Sequence, residues 1–415
     1  MKRIVWTTLL VFVLTGVAVA GPIEHFFKDK DADRLIDLDE SDVAVIELES
    51  QPSTGHGWQT SDMTGKHVRI IAREFESSQP GLLGSPGIER IYVVGQTKGE
   101  SDLVFEYRRP FEKKKATLRS LKFRFKARAK FRDAFRSAYE AWAESRATSD
   151  EASGNEEQIT YSATSGLPAS YNWCDAHGGC TPVKNQGQCG ACWAFATQGV
   201  LENLIKAEDN MTVNLSEQYL ISCNNEGWGC YGGFWAHDYN LNKKVYGETE
   251  AGAPLESTMS YRARNGSCNP PHEKAYKISS WGYVCGSLYC TPTTAQIKQA
   301  ILDHGPLATG IYADYAMQRY TGGVFTSSKN RQPNHAVLIV GWDDSQSCWI
   351  VRNQWGSEWG ENGYMRIRYG VANVGSTASY VDYHGSGNSG SSSSSSSSGS
   401  GCDTSSSSSG GTGCN

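Results

Sequence analysis

Gly187-Gln188-Cys189-Gly190-Ala191-Cys192-Trp193-Ala194 is the stretch on which the reading of this chain turns. Two cysteines stand three apart among glycines, and a tryptophan follows the second. From there Trp193-Ala194-Phe195-Ala196-Thr197-Gln198-Gly199-Val200-Leu201-Glu202-Asn203-Leu204-Ile205 carries apolar residues at intervals of three and four and no proline. That spacing predicts a helix with Cys192 in its first turn. A helix N-terminus lowers the pKa of a thiol, and a nearby imidazolium lowers it further, so the placement suits a nucleophile.

Such a thiol needs a base that is distant in sequence and near in space. Asn334-His335-Ala336-Val337-Leu338-Ile339-Val340-Gly341-Trp342 puts an imidazole at the mouth of a run that reads as a buried strand. Asn353, in Arg352-Asn353-Gln354-Trp355-Gly356, follows the next strand and supplies a group to orient the ring, with the Trp355 indole to shield the Asn–His hydrogen bond from water. Gln186 precedes Cys192 by six residues in Pro182-Val183-Lys184-Asn185-Gln186-Gly187. Its side-chain amide can join the Cys192 backbone N–H as a donor to an oxyanion. Taken singly, Cys192 reads as a structural thiol and His335 as a satisfied core histidine. Four groups in complementary roles reverse that weighting.

Together they resemble the papain-like cysteine peptidases. Gln186, Cys192, His335 and Asn353 each match a catalytic position of that family, in its order, and the likeness covers about residues 167–383. It takes in Leu215-Ser216-Glu217-Gln218, Gly229-Cys230-Tyr231-Gly232-Gly233, Gly305-Pro306 and Trp359-Gly360-Glu361-Asn362-Gly363-Tyr364. Ala191 and Gln354 depart from the usual serines, and Met259-Ser260-Tyr261 departs from Tyr-Pro-Tyr. The resemblance implies a two-lobed α+β fold, a helical lobe plus a β-barrel-like lobe. It also implies an endopeptidase, since no histidine-bearing insertion occludes the cleft. Gly232 and Gly233 are where family members hydrogen-bond an extended substrate backbone, and Asn334 and Trp355 also line the cleft. By alignment, Phe234, Gly310, Pro333 and Ala336 wall the pocket for the second residue upstream of the scissile bond. With no acidic residue at its floor, a bulky apolar side chain is expected there. The resemblance pairs Cys189 with Cys230 and Cys223 with Cys268. Spacing alone suggests Cys174 with Cys180 and Cys285 with Cys290, while Cys402 and Cys414 would close a loop in the tail. Cys348 is left as an inert core thiol.

Upstream, the spaced Glu-Arg-Phe-Asn-Ile-Asn pattern of the usual helical propeptide is absent from residues 21–166. Val43-Ala44-Val45-Ile46-Glu47-Leu48, Val68-Arg69-Ile70-Ile71, Arg90-Ile91-Tyr92-Val93-Val94, Asp102-Leu103-Val104-Phe105-Glu106-Tyr107 and residues 121–131 read instead as strands of an all-β module. Three loops within it stand out: Gln51-Pro52-Ser53-Thr54-Gly55-His56-Gly57-Trp58, Gly81-Leu82-Leu83-Gly84-Ser85-Pro86-Gly87 and Arg108-Arg109-Pro110-Phe111. In order, they resemble the inhibitory loops of chagasin, an immunoglobulin-like inhibitor of papain-like peptidases; Gln51, Ser53, His56 and Phe111 depart from its patterns. The resemblance implies that an immunoglobulin-like sandwich over 42–131 replaces the propeptide. Pro52, Ser53, Thr54, Gly55, Leu82, Leu83, Gly84, Arg109, Pro110 and Phe111 would then block the cleft in cis. A folding aid or spacer is the competing reading of the module.

Composition frames the rest. The 415 residues carry a net charge of −5, without a basic patch interleaved with aromatics, which argues against a nucleic-acid partner. Residues 1–20 read as a secretory signal ending Ala18-Val19-Ala20, and no other segment is long enough to span a bilayer. The expected destination is outside the cell, or a periplasmic or lysosome-like compartment reached through the secretory pathway; twelve cysteines suit an oxidising one. In the acidic lead-in 21–41, Asp29, Asp31, Asp33, Asp37 and Glu40 fall at calcium-loop spacing, but Arg34 stands at the glycine position and a strand follows. No metal or cofactor is expected. Lys122, Arg124, Lys126, Arg128 and Lys130 form a cationic strand face that solubilises a sheet. Residues 132–166 read as a linker with activation cleavage inside 146–166, residues 167–384 as the peptidase, and 385–415 as a flexible Ser/Gly-rich tail. The resulting expectation is a monomeric, secreted cysteine endopeptidase of proteins and peptides, made latent by its own chagasin-like domain. The alternative is a secreted inhibitor or binding protein whose peptidase domain serves mainly as a scaffold.

Overall fold

The computed structural model describes residues 22–60, 66–113, 116–133, 135–137, 166–328 and 330–385. The expected signal, almost all of the 146–166 cleavage region, and the tail with Cys402 and Cys414 lie outside them. Strands β1 (Ile23–Lys28), β2 (Leu35–Leu38), β3 (Asp42–Ser50), β4 (Gly57–Thr60), β5 (Val68–Ser77), β6 (Gly87–Gly95), β7 (Gly99–Arg108) and β8 (Arg119–Ala127) build the N-terminal module. They form two four-stranded sheets, β1-β3-β6-β5 and β2-β8-β7-β4. Period-two alternation fills the space between the sheets. Ala44, Ile46, Leu48, Ile91 and Val93 from the first meet Leu103, Phe105, Phe123 and Phe125 from the second. The other face of the first sheet, Val43, Val45, Tyr92 and Val94, is covered by Phe131 and Phe135. Burial on both faces explains why 43–46 is a continuous apolar run.

Two expected boundaries move. Residues 21–41 are not a separate lead-in, because β1 pairs in parallel with β3 and β2 in parallel with β8, with Ile36 and Leu38 in the core. The module also extends beyond residue 131, since Phe135 packs into it. The acidic residues serve this architecture. Asp29 pairs with Arg119, Asp37 with Arg128 and Glu40 with Arg132, at or after β8, and Asp31 with Arg34 just before β2, so each acid neutralises its own arginine instead of converging.

In the second unit, a helix at Cys192–Asp209 is buried from Cys192 through Ile205 and packs against the central strand of a sheet. That sheet comprises β9 (Ser170–Asn172), β10 (Ser280–Tyr283), β11 (Leu307–Ile311), β12 (Val324–Phe325), β13 (His335–Asp343), β14 (Cys348–Arg352), β15 (Tyr364–Arg368) and β16 (Ser379–Asp382). Its order is β10-β16-β11-β13-β14-β15-β12, and β9 pairs with the far end of β13. Gly199 allows the helix to approach: a Cβ there would stand 3.1 Å from the Leu338 side chain on β13. Shorter helices at Glu217–Cys223, His237–Leu241 and Thr294–His304 complete a mixed α and β unit. Disulfides join Cys174 to Cys180, Cys189 to Cys230, Cys223 to Cys268 and Cys285 to Cys290; Cys192 and Cys348 are free and buried. The bridge from Cys189 to Cys230 ties the approach to the long helix to the Gly229–Gly233 wall of the cleft.

Candidate active site beneath the module

Cys192 opens the long helix. Ala191 before it offers no side-chain cap, so the first backbone N–H groups of the helix stay available. The N–H groups of Ala336, Trp193 and Cys192 itself face the sulfur. His335 is the first residue of β13, which places its ring across from the helix start. Its Nε2 donates to Asn353 Oδ1 at 2.9 Å, and the Gln354 N–H fixes that oxygen from the other side at 2.8 Å. With the proton on Nε2, Nδ1 presents its lone pair, and it is buried without a hydrogen-bond partner. The Trp355 indole stacks on the imidazole at 5.0 Å between centroids, shielding the His–Asn bond.

Gln186 is held against this group. Its Nε2 donates to Cys189 O at 2.8 Å, its Oε1 accepts from Gln354 Nε2 at 3.2 Å, and its backbone N–H donates to Gln354 O at 2.9 Å. The same Gln354 amide reaches Ala336 O at 2.7 Å. Gln354, a departure without evident chemistry in the sequence, therefore ties Gln186 to the strand that carries His335.

All three loops of the module converge here. Leu83 and Gly233 exchange both backbone hydrogen bonds, at 2.9 and 3.0 Å, and the Gly84 N–H donates to Asn334 O at 2.9 Å. Gly232, at φ +111°, suits the close approach, since a Cβ there would stand 3.1 Å from Leu82 Cβ in a backbone conformation that favours glycine. Gly84 passes directly over the thiol: a Cβ on it would fall 3.3 Å from Cys192 Sγ and 2.0 Å from Gly190 O. Leu83 is buried in the same apolar cluster as Ala336, with Phe234 packed against that cluster, and Gly310 pairs with Ala336 across β11 and β13.

On the other side, Pro52, Ser53 and Thr54 form a buried turn, and Ser53 O accepts from Trp355 Nε1 at 2.8 Å. Gly55 adopts φ 78°, where a Cβ would press against Phe111 and Trp355 at 3.1 Å. Phe111 stacks nearly parallel on Trp355, at 6.1 Å and 8°. Arg109 donates to Thr54 O, Asn185 Oδ1 and Gly187 O at 2.7–2.8 Å and pairs with Glu112 at 3.0 Å, all but sealed from solvent. Pro110 between them is half-buried.

Several contacts carried no sequence signal. Gln51 Nε2 donates to Gly84 O and Cys230 O, Gln318 Nε2 to His56 O at 2.9 Å, and Arg319 to Gln59 Oε1 at 2.8 Å. Arg73 lies 4.3 Å over the Tyr315 ring.

The cover changes the electrostatics. Cys192 and His335 are wholly excluded from solvent. Burial pushes the thiol up to about 12, against the pull of the surrounding N–H groups. Burial also pushes the imidazole down to about 4; the Asn353 hydrogen bond opposes this, and the Arg109 charge adds to it. Under the module the two groups are held as a neutral pair. Among the described residues, the one cluster with metal-ligand spacing is Cys223, Cys268 and His272, in which both cysteines are bridged to each other.

Comparison with known proteins follows the same division. The model of the papain family cysteine protease matches residues 167–384, and that of the chagasin family peptidase inhibitor matches residues 37–126. A cysteine proteinase of Trypanosoma brucei brucei is 34% identical over 215 residues, covering 51% of this chain and 46% of that protein. Vignain of Vigna mungo is 34% identical over 239 residues, covering 55% and 63%. Zingipain-2 of Zingiber officinale is 33% identical over 212 residues, covering 50% and 90%. The chain thus spans about half of the trypanosome protein and under two thirds of vignain.

Proposed function

Because the chain belongs to the papain family of cysteine proteases and also contains a chagasin-family inhibitor domain, we propose that it is the latent precursor of a cysteine endopeptidase, closed in cis by its own module. The observation that carries this reading is the Leu83–Gly84 segment, paired with Gly233 and Asn334 and lying over Cys192.

Uncovering the cleft returns water to Cys192 and His335 and removes the Arg109 charge. His335 Nδ1 then takes the thiol proton, and the thiolate adds to a substrate carbonyl carbon. The Cys192 N–H and the Gln186 amide stabilise the oxyanion. The imidazolium gives its proton to the leaving amine as the C–N bond breaks. Water, deprotonated by His335, cleaves the thioester and restores the thiol. Asn353 holds the ring throughout, and Trp355 keeps water off that hydrogen bond. Leu83 marks the second substrate position, so the preference proposed is for a bulky apolar side chain there.

The four disulfides suit an oxidising compartment on the secretory pathway. Secretion, or delivery to a periplasmic or lysosome-like space, is the finer reading, together with a monomeric state. No helix among the described residues is long and apolar enough to cross a membrane. The test is hydrolysis of a fluorogenic peptide with leucine at the second position, by chain cut within 146–165 and freed of the module under reducing, mildly acidic conditions. Cys192→Ala and His335→Ala should each lower turnover by about 1,000-fold or more. Undiminished turnover in Cys192→Ala would sink the assignment.

A further inference from the structure

Leu82-Leu83-Gly84-Ser85 crosses the cleft with Leu83 bridged to Gly233 and the chain turning at Gly84, where a Cβ would stand 3.3 Å from Cys192 Sγ, so the Gly84–Ser85 peptide bond starts beside the thiol. A bond placed so is exposed to attack, and what sets it apart is the Gly84 carbonyl. The backbone turns to φ +92° at Gly84, a conformation open to glycine. The carbonyl oxygen then accepts a 2.6 Å hydrogen bond from Gln51 Nε2. The same Nε2 donates to Cys230 O at 2.8 Å, so both amide protons are committed and the grip on Gly84 is anchored in the cleft wall. The oxygen lies over Gly190, where even a methyl group would fall 2.1 Å from it. Gln186 Nε2 meanwhile donates to Cys189 O. A carbonyl turned from oxyanion donors is a poor electrophile.

We infer that Gln51 is a positioning residue that protects the module from its own peptidase: it holds the Gly84 carbonyl away from the oxyanion donors, so the Gly84–Ser85 bond fills the cleft uncut. The inference rests on the cysteine-peptidase reading above. Without Gln51, the carbonyl swings toward the Cys192 N–H and Gln186. His335 Nδ1 takes the Cys192 proton as the sulfur adds to the Gly84 carbonyl carbon, and the imidazolium gives that proton to the Ser85 amine as the C–N bond to Ser85 breaks. Water then hydrolyses the thioester, leaving a Gly84 carboxylate and a free thiol.

The experiment incubates the full chain as wild type, Q51A and Q51E, each with and without C192A, under reducing, mildly acidic conditions. Mass spectrometry follows a new N-terminus at Ser85. Q51A removes the donor, and Q51E, of the same shape, places acceptors against two carbonyl oxygens. Both are expected to release the Ser85 terminus at least tenfold faster than wild type, and neither should do so with C192A. The inference is overturned if both variants stay whole as long as wild type. It is equally overturned if they gain peptidase activity without a Ser85 terminus, or are cut at many sites instead of this one. Wild-type chain cut in the linker and freed of the module is assayed on the fluorogenic peptide in parallel. Hydrolysis there with intact Q51A sinks this inference alone; absence of hydrolysis sinks the peptidase reading and the inference with it.

Discussion

The middle loop of the module and the Arg108–Phe111 loop hold the cleft by different means. Leu82–Gly84 docks through its backbone, with both hydrogen bonds of Leu83 on Gly233 and the Gly84 N–H on Asn334. The Arg108–Phe111 loop docks through side chains, the Arg109 guanidinium on Asn185 and Gly187 and the Phe111 ring on Trp355, while the Gln51–Trp58 loop offers the backbone oxygens of Ser53 and His56 to Trp355 Nε1 and Gln318 Nε2. Backbone pairing reads little of side-chain identity, but at Gly84 it leaves room for nothing beyond hydrogen. Side-chain docking is chemically specific and depends on a charge buried among exact partners. The middle loop therefore covers the thiol, while the Arg108–Phe111 loop decides how firmly the cover is held.

Arg109→Ala should break this division most severely. It removes the buried cation that faces Glu112 and the guanidinium bonds to Asn185 Oδ1 and Gly187 O, a loss of about 3–5 kcal/mol. The module's hold on linker-cut chain, read from peptide hydrolysis on dilution, should weaken by about 100-fold to 1,000-fold or more. Arg109→Lys should rescue little, because an ammonium lacks the fork that serves several acceptors. Adding Glu112→Gln to Arg109→Ala should recover part of the loss.

Gly84→Val comes next. Its side chain would meet Gly190 O at 2.0 Å, in a backbone conformation that β-branched residues avoid. Overpacking costs about 1–3 kcal/mol, which weakens the hold by about tenfold to 100-fold. Leu82→Ala in the same assay should change little, as expected of a loop read through its backbone. Phe111→Ala is milder than Gly84→Val. Loss of the stack on Trp355 is worth about 1 kcal/mol beyond buried area, roughly a fivefold weakening, and Phe111→Trp should retain the hold. An Arg109→Ala effect smaller than that of Phe111→Ala would overturn the proposed ranking.

Much of this architecture is legible in the sequence. The three-and-four spacing after Cys192 marks the helix, and the apolar run after His335 marks the strand. Alternation marks β7 and β8, and short apolar runs mark β3, β5 and β6, with β3 and β6 buried on both faces. Strand β1 escapes because most of its side chains, Ile23 and Phe26 among them, remain exposed. Strand β2 escapes because its four residues are too few for a pattern. Gln51 escapes for a different reason. A glutamine acquires its role from the two oxygens that come within its reach, and those belong to residues 33 and 179 positions away. Gln354 is hidden in the same way, its amide defined by Gln186 and Ala336.

The measurement that tests the central claim most directly is labelling of Cys192 by a thiol-reactive peptide epoxide. It would be followed by mass spectrometry on intact chain and on chain cut within 146–165 and freed of the module. Under the module the thiol is buried beneath Gly84 and pushed up to about 12, so at neutral pH the intact chain should react about 1,000-fold more slowly than the freed peptidase. Labelling of the intact chain at the rate of the freed peptidase would contradict a module that closes the cleft in cis.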